Sequence, residues 1–517
     1  MVKKIIIQLK RKLVFILIIF CGIENFSAQK PEEILKKIKS EVYENSDPMQ
    51  TLSILTDGYG HRLTGSREYL QSAKWMANQL ESYGLQNVKL DRTCDNCRGW
   101  TLKGFNVEMI EPNYQSIVSY PLAMSKSSEG IQEGEIIHIK EWWKIEDVKK
   151  QFTGKLKGKI VLMGYPQKPI DISKGLIQKY SKEELNEFEN RTKSETKSIM
   201  YTKELMDKVY ESDRDDQQFF EFIEKEGAIA ALSTNQGPPG VLRVEKTFYF
   251  LEDDYAPLPL FSIIPEHFGR LSRMLALGLK PKIKFHLDTE FYVEPENNVN
   301  ILAEIPGTNP KHKSEIVLVG GHFDSWHSST GATDNGVNNI IISEALRILQ
   351  KIGYKPKRTI RMVLWHGEEQ AFYGSLGYVQ KNFGSLWEKP NTYSEKISAY
   401  LNLDNGAGLI RGIYLQENKK AEPIFDKAFK PLKEITEGVT TIENQLYTDH
   451  VVLDHYNIPS FQMMQDPLAF YSLTLHTNMD VLEFIPEEIV KKNIVIMTWL
   501  LYSLAEEESM VPRKTKN

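Results

Sequence analysis

The stretch that decides the fold reads Ile316-Val317-Leu318-Val319-Gly320-Gly321-His322-Phe323-Asp324. It begins with a continuous apolar run, which is typical of a β-strand buried on both faces of a sheet. The run ends in two glycines and then in His322 and Asp324, whose side chains bind metals or carry protons. The stretch therefore predicts a buried strand with polar, chemically useful residues just beyond its carboxyl end.

Strands and helices alternate through the rest of this region. In chain order the pattern predicts a helix over Ile340–Ile348, a strand over Thr359–Trp365, a helix over Ala371–Lys381, strands over Ile397–Leu403 and Ile458–Met464, and a closing helix over Ile485–Leu504. Alternation of this kind implies an α/β fold in which a mostly parallel, mixed sheet is covered by helices on both faces. Ligands of such sheets bind beyond the carboxyl ends of the strands.

Polar residues follow four of the predicted strands at that end. They are His322, Asp324 and Asp334 after the first strand, Glu368 and Glu369 after the second, Asp404 after the third, and His476 in the loop beyond the fourth. A random surface would scatter such residues over both ends of the sheet and over the helices. Their placement predicts one cluster of imidazoles and carboxylates.

The chemistry that this cluster supports is hydrolysis assisted by metal ions. Imidazole and carboxylate ligands suit zinc, which takes about four ligands and keeps one position open in catalytic sites. Two ions about 3.5–4 Å apart need a shared carboxylate. A further carboxylate must take the proton from the attacking water without being a ligand itself. Glu368 and Glu369 fit this division, because consecutive side chains diverge at a strand end.

Each of these residues taken alone has an ordinary structural interpretation. His322-x-Asp324 could be a hydrogen-bonded surface pair, and the adjacent glutamates could be the solvated start of a helix, where acidic residues are favoured. Asp404 precedes Asn405-Gly406 and could be a turn residue. It is their joint placement at the strand ends that favours a metal site.

In this set of residues, the sequence resembles the co-catalytic di-zinc peptidases that include the bacterial leucyl aminopeptidases. The resemblance extends to the carboxypeptidase Q (plasma glutamate carboxypeptidase) branch of that family. It is carried by His322-x-Asp324, Asp334, Glu368-Glu369, Asp404 and His476, and by the phrases Arg62–Ser66, Gly321–Trp326, Lys357–Thr359 and Leu364–Gln370. It implies a zinc exopeptidase of the phosphorylase/hydrolase-like fold that acts on peptides.

The resemblance also implies a role for each residue. Asp334 would bridge two zinc ions, His322 and Asp404 would complete one ion, and Glu369 and His476 would complete the other. Glu368 would be the general base and later the proton donor to the leaving amine, and Asp324 would orient His322. In relatives the bridging aspartate is often followed by a cis peptide bond, with which Asn335 is compatible.

The same resemblance divides the chain into domains. It implies a peptidase domain split into residues 29–127 and 293–517, with the metal site in the second part. Residues 128–292 resemble an inserted protease-associated (PA-like) domain, which often forms part of the wall of the substrate cleft. Within it, the highly charged stretch Ser181–Lys225 predicts a solvated helical excursion. Related enzymes are often dimers, so a homodimer is a further expectation.

The amino terminus predicts export. Five basic residues precede the apolar run Leu13–Ile23, and Ser27-Ala28 is a plausible cleavage point, so residues 1–28 read as a signal peptide. The run is short for a membrane span, which needs about 20 residues. An uncleaved anchor and a lipid attached at Cys21 are less favoured, the latter because Phe20 is bulky. A secreted or periplasmic protein without a stable membrane span is expected.

Composition narrows the possible functions. The chain has 517 residues and a formal net charge of −5, which becomes −9 after residues 1–28 are removed. This charge gives no electrostatic footprint for nucleic acid. Three cysteines exclude a disulfide-built scaffold and a four-cysteine metal site. Cys94 and Cys97 of the mature chain favour a small disulfide, with idle thiols or a redox or metal pair as alternatives.

Two other functions are compatible with parts of this pattern. Glutaminyl cyclases catalyse acyl transfer on a related scaffold with a single zinc, but the complete set of five ligands favours hydrolysis. A binding protein on a decayed peptidase scaffold should lack ligands, and none is missing here. Serine hydrolysis has no support, because the sequence contains neither a Gly-x-Ser-x-Gly motif nor a His-Glu-x-x-His motif.

Overall fold

The computed structural model describes residues 30–168, 175–197, 216–245, 250–385 and 388–514. The predicted signal peptide lies outside these residues. In chain order the strands are β1 (Gln86–Arg92), β2 (Gly99–Glu111), β3 (Gln115–Ser116), β4 (Ser119–Pro121), β5 (Gln132–Ile139), β6 (Ile160–Met163), β7 (Ala230–Ser233), β8 (Leu260–Ile263), β9 (Lys282–Tyr292), β10 (Val299–Ile305), β11 (Ile316–His322), β12 (Thr359–Trp365), β13 (Ile397–Asn402), β14 (Ile410–Tyr414), β15 (Val439–Thr441) and β16 (Ser460–Gln465).

The helices with defined bounds are α1 (Pro31–Asn45), α2 (Pro48–Ser53), α3 (Arg67–Ser82), α4 (Ile145–Phe152), α5 (Lys182–Glu189), α6 (Pro265–Ala276), α7 (Val337–Lys351), α8 (Tyr373–Phe383), α9 (Glu422–Phe429), α10 (His450–His455) and α11 (Glu487–Glu506). A further helical stretch covers 216–225. Among the described helices, none combines the length and the apolar character needed to span a membrane.

The first sheet has the strand order β1-β10-β12-β11-β13-β16-β14-β15. Its four central strands, β12, β11, β13 and β16, run parallel to one another. The pairs β1–β10, β10–β12 and β14–β16 are antiparallel. The predicted mixed α/β fold is therefore confirmed, and the parallel strands carry their carboxyl ends to one edge of the sheet.

The apolar run of β11 is buried because helices cover both faces of this sheet. Val317 and Val319 point into a core that includes residues of α7 and α11. Ile316 and Leu318 point into the opposite core, with residues of α8 and α10. Successive side chains alternate between faces, so only a run that is apolar at every position satisfies both cores.

The second sheet has the order β3-β2-β9-β5-β6-β7-β8-β4. Its long strand β2 pairs antiparallel with β9, and β4 pairs with β8. Residues 99–121, which the sequence analysis placed in the amino-terminal part of the peptidase domain, thus join the sheet formed by later residues. The reason is that β2 pairs with β9 over nearly its whole length, with two shifts of register, although the two strands are far apart in sequence.

The described beginning of the charged stretch Ser181–Lys225 is helical, as predicted, but it is not wholly exposed to solvent. This helix is α5, which starts with a capping box at Ser181. Leu185 of this mostly exposed helix is buried with Tyr414, Val439 and Met464 of the first sheet. Glu443 accepts hydrogen bonds from the side chain of Ser194 and from the backbone N–H of Thr196, both at 2.7 Å. The segment after the helix is therefore attached to the first sheet.

The loop between β1 and β2 carries a disulfide between Cys94 and Cys97. The predicted disulfide is confirmed, so in this structure the two cysteines are neither idle thiols nor thiolate ligands of a metal. Cys97 is buried, and its backbone carbonyl accepts a hydrogen bond from the side chain of Asn298 at 3.1 Å. The disulfide thus lies at the point where the chain passes from the first sheet to the second.

The central strands β11 and β12 approach each other closely at Gly320. A Cβ added at this position would lie 2.1 Å from the carbonyl oxygen of Val363 on β12. We expect Gly320→Ala to lower the free energy of unfolding by about 1–3 kcal/mol, as overpacking does, measured by urea denaturation. Gly104→Ala on β2 is the matched control, because no described atom lies within 4 Å of its added Cβ. Equal stability of the two variants would contradict the expectation.

Candidate metal centre

His322 is the last residue of β11 and points into a cluster of carboxylates. Its Nε2 atom lies 3.1 Å from Oδ1 of Asp334 and 3.3 Å from Oδ1 of Asp404. Its Nδ1 atom lies 3.0 Å from the backbone carbonyl oxygen of Asp324. That carbonyl orients the ring, because Nδ1–H can donate to it and leave the lone pair of Nε2 facing the two aspartates.

Asp334 lies in the turn Ala332–Gly336 between β11 and α7, where its own backbone is not helical. Its peptide bond to Asn335 is cis, as the resemblance made plausible. One carboxylate oxygen faces His322, and the other lies 3.4 Å from Nε2 of His476. Asp480 holds this turn, since its Oδ1 accepts hydrogen bonds from the backbone N–H of Thr333 at 2.5 Å and from the Thr333 hydroxyl at 2.8 Å. Asp334 thus lies between the two histidines.

Glu369 and His476 form the other side of the cluster. Oε2 of Glu369 lies 2.9 Å from Nε2 of His476 and accepts a hydrogen bond of 2.7 Å from the indole of Trp326. Only 3% of the Glu369 side chain is exposed. Nδ1 of His476 lies 2.5 Å from Oε2 of Glu245, a residue that follows β7 of the second sheet. All five residues predicted as ligands are therefore brought together.

The arrangement fits metal binding. His322, Asp334 and Glu369 each offer a ligand atom, and these atoms lie within 4.8 Å of one another. Oδ2 of Asp334 and Oε1 of Glu369 are buried without a hydrogen bond from any described residue. Buried carboxylate oxygens without hydrogen bonds are unusual, and a bound cation would satisfy them. The donor set of imidazole nitrogens and carboxylate oxygens is one that zinc takes.

The electrostatics of the free protein agree with this interpretation. Burial, together with the charge of Asp334, raises the pKa of Glu369 to about 7. Burial alone would lower the pKa of His476, but the carboxylates of Glu369, Glu245 and Asp334 raise the pKa of its imidazole well above the usual value. The carboxylates and imidazoles lie close enough to perturb one another's pKa values, as charged groups buried together do.

The carboxylate of Asp324 was expected to orient His322, but it holds the backbone of Glu368 and Glu369 instead. This carboxylate is fully buried and accepts backbone N–H groups of Glu368 and Glu369, both at 3.3 Å, and the hydroxyl of Thr64 at 2.9 Å. Oδ1 of this carboxylate is 3.7 Å from Nδ1 of His322, too far for a hydrogen bond. The orienting contact to His322 is made by the carbonyl of Asp324, while the carboxylate fixes the turn that carries the glutamates.

Glu368 follows β12 and lies beside the proposed ligands. Burial raises the pKa of its carboxyl group well above the ordinary value, and the charges of Asp404 and Glu369 raise it further. Its backbone is fixed by Asp324, as described above. The structure thus places a partly buried carboxyl group next to the cluster.

Three other histidines contact groups that do not belong to the proposed ligand set. Nε2 of His327 is 2.9 Å from the carbonyl oxygen of Pro121, and Nε2 of His450 is 3.0 Å from that of Gln445. Nδ1 of His366 is 3.2 Å from the Thr93 hydroxyl. These contacts agree with leaving them out of the ligand set.

Several residues that support the cluster received no role from the sequence. Arg62 is buried and donates hydrogen bonds to the carbonyl groups of Phe323 and Gly331, at 2.6 and 2.8 Å. Arg62, Thr64 and Trp326 belong to phrases that resemble the family, so a signal for them existed. No local pattern pointed to Glu245, which is 231 residues away from His476 in sequence.

A sheet with parallel central strands, with two imidazoles and a set of carboxylates at their carboxyl ends, is a framework of the α/β class that suits metal-assisted hydrolysis. The sequence profile of peptidase family M28 matches residues 300–499. The predicted resemblance is confirmed by this match and by homology to carboxypeptidase Q over most of the chain.

Relatives of known sequence and structure cover nearly the whole chain. Human carboxypeptidase Q is 25% identical over 470 residues, which are 90% of this chain and 86% of the human protein. The crystal structure of a peptidase M28 precursor from Shewanella amazonensis superposes with a TM-score of 0.66 at 20% identity, over 94% of this chain and 99% of that one. A zinc aminopeptidase from Bacillus subtilis superposes with a TM-score of 0.55 at 19% identity, over 88% and 94% of the two chains. These structures share the fold.

Proposed function

We propose that the protein is an exported, zinc-dependent exopeptidase that hydrolyses short peptides, dipeptides among them. The observation that carries the proposal is the convergence of five ligand-type side chains from separate strand ends beside Glu368. The homology to carboxypeptidase Q and the fold shared with a zinc aminopeptidase support both the metal and the attack at a chain end. The two kinds of relative differ in the substrate end that they recognise. An aminopeptidase recognises the free amino terminus, and a carboxypeptidase recognises the free carboxyl terminus.

The proposed ligand sets follow the contacts within the cluster. His322 and Asp404 would hold one zinc ion, Glu369 and His476 would hold the other, and Asp334 would be shared. The short distances from Nε2 of His322 to Asp334 and Asp404, and from Nε2 of His476 to Glu369 and Asp334, support this division. Zinc bound here supplies Lewis acidity for the scissile carbonyl and lowers the pKa of the attacking water.

The remaining steps belong to residues of the chain. Glu368 accepts the proton of the attacking water on a carboxylate oxygen and then passes it to the nitrogen of the leaving amine. Asp324 keeps this carboxylate in place through the backbone N–H groups of Glu368 and Glu369. Trp326 limits the rotation of Glu369 through its hydrogen bond. These contacts hold the reacting groups in position before the substrate binds.

The second sheet is proposed to be the PA-like insertion. Its predicted range of 128–292 is extended here to start near residue 99, because β2 and β4 pair with β9 and β8. The peptidase domain would then comprise the residues before it and residues 293–517. Contacts from this insertion to the loop that carries His476 support its role in the wall of the substrate cleft. A homodimer remains a prediction from the resemblance.

Export is proposed from one feature of the sequence and one of the structure. Residues 1–28 have the pattern of a secretory signal, and the disulfide between Cys94 and Cys97 suits an oxidising compartment outside the cytoplasm. The mature protein is proposed to be secreted or periplasmic, rather than held by a lipid or by an uncleaved anchor.

The experiment that tests the proposal uses metal-loaded mature protein and four peptides of one sequence. One peptide has free ends, one is acetylated, one is amidated and one is blocked at both ends, and the products are identified by mass spectrometry. We expect the free peptide to be cut at one end and one of the two singly blocked peptides to resist cleavage. Rapid cleavage of the doubly blocked peptide would contradict an exopeptidase.

Glutaminyl cyclase activity is the alternative on the same scaffold. Incubation with a peptide that begins with glutamine, together with metal analysis, separates the two. One tightly bound zinc and formation of pyroglutamate would reverse the assignment. The metal-free binding protein is tested by the same metal analysis, because it would retain no zinc.

A further inference from the structure

The second-sheet module is here the part of the chain from residue 99 to 292, which contains the second sheet and its connections. One of its segments runs alongside the loop that carries His476. The backbone N–H of Val244 donates to the carbonyl of His476 at 3.2 Å. The backbone N–H of Leu242 donates to Oδ1 of Asn478 at 3.0 Å, and that of Asn478 donates to the carbonyl of Leu242 at 3.2 Å. The backbone on both sides of this histidine is therefore held by residues more than two hundred positions earlier in the chain.

A second segment of the same module holds the beginning of that loop. Gln178 and Leu468 exchange two backbone hydrogen bonds, of 2.9 and 2.7 Å. The backbone N–H of Tyr180 donates to Oδ1 of Asp466 at 3.0 Å. The residues between 466 and 478 are thus attached to the module at both ends, so the position of His476 depends on it.

The most direct contact is made by Glu245. Its Oε2 lies 2.5 Å from Nδ1 of His476, while Nε2 of the same ring faces Glu369 and Asp334. A carboxylate on Nδ1–H fixes the tautomer in which Nε2 carries its lone pair toward the metal, and it makes that nitrogen a stronger ligand. The same carboxylate also lies 3.8 Å from the guanidinium group of Arg243, so Glu245 has a second positively charged neighbour.

We infer that Glu245 is a positioning residue for His476, and that the metal position between Glu369 and His476 is supported by the second-sheet module. This inference rests on the proposed function, since it assumes that His476 is a ligand. It means that all five proposed ligands lie in residues 293–517, while a residue that positions one of them comes from the second-sheet module.

The test measures zinc retention in the full mature protein. Wild type, Glu245→Ala and Glu245→Gln are dialysed against a series of chelator concentrations, and the remaining zinc is measured by mass spectrometry. We expect one ion of Glu245→Ala to leave at a chelator concentration about 10- to 100-fold lower than in wild type, with the other ion unaffected. Glu245→Gln should show a smaller shift, because its amide oxygen still accepts Nδ1–H without the charge.

Glu133→Ala is the matched control on the same sheet. Glu133 is paired with Lys282 at 2.9 Å, away from the cluster, so its zinc retention should equal that of wild type. Circular dichroism of the metal-free variants checks that each is folded, and the nearly isosteric Glu245→Gln carries the test if Glu245→Ala does not fold. Release of both ions from folded Glu245 variants at the wild-type chelator concentration would overturn the inference.

His476→Ala distinguishes this failure from failure of the proposed function. If His476→Ala also retains two ions like wild type, His476 is not a ligand and the proposed site itself is wrong. If His476→Ala loses one ion readily while both Glu245 variants retain it, only the role of Glu245 is wrong.

Discussion

Glu368→Gln is expected to lower kcat for peptide hydrolysis by about 100- to 10,000-fold, the range in which general acid–base groups contribute. The substituted amide cannot accept a proton from the attacking water or return it to the leaving amine. Zinc content should stay at the wild-type value, because Glu368 is not among the proposed ligands. Steady-state kinetics and metal analysis on the same preparation measure both quantities.

Glu395→Gln is the control for this substitution. Glu395 is exposed in the turn before β13 and has no part in the cluster, so its variant should hydrolyse peptides like wild type. Full hydrolysis by Glu368→Gln would show that another group moves the proton. Loss of zinc from Glu368→Gln would show instead that Glu368 is a ligand.

Asp334→Asn is expected to affect both metal positions at once. Asp334 is buried between Nε2 of His322 at 3.1 Å and Nε2 of His476 at 3.4 Å, so its carboxylate is the group that two ions would share. An amide removes the negative charge and one oxygen acceptor. We expect loss of at least one zinc ion and a fall in kcat/KM of at least about 1,000-fold, since a metal ion contributes several kcal/mol to the transition state.

Asp426→Asn is the comparison for this variant. Asp426 accepts a hydrogen bond from Thr440 at 2.7 Å, outside the cluster, and its substitution should leave zinc content and kcat/KM unchanged. The prediction for Asp334 is wrong if the Asn variant holds two zinc ions at wild-type chelator concentrations. Measuring unfolding of the metal-free variant separates lost metal binding from lost folding.

Much of the fold could be predicted because its signals are local. The continuous apolar run of β11 indicates burial on both faces, and the helical pattern over Ile340–Ile348 indicates α7, which covers Val337–Lys351. The ligand cluster could be predicted from the same signals, because the carboxyl ends of parallel strands meet at one edge of a sheet. The buried strands, the approximate positions of the helices and the edge of the sheet that carries the site follow from residues that are neighbours in sequence, whereas the helix ends differ by two or three residues.

The pairing of distant segments could not be predicted in this way. Residues 99–121 join the second sheet because β2 pairs with β9. Nothing in the sequence of β2 itself distinguishes one antiparallel partner from another. The carboxylate of Asp324 fixes the backbone of the glutamate pair, whereas the sequence suggested only that it orients His322. Both outcomes depend on distances across the folded chain.

The sequence by itself determined the α/β class, the strand ends and the candidate set from His322 to His476, since each rests on the type and spacing of nearby residues. Only the tertiary structure decided that Asp334 lies between both histidines and that Glu245 contacts His476. Those contacts join segments that are far apart in the chain. They arise from how the two sheets pack, and no local pattern of residues records that packing.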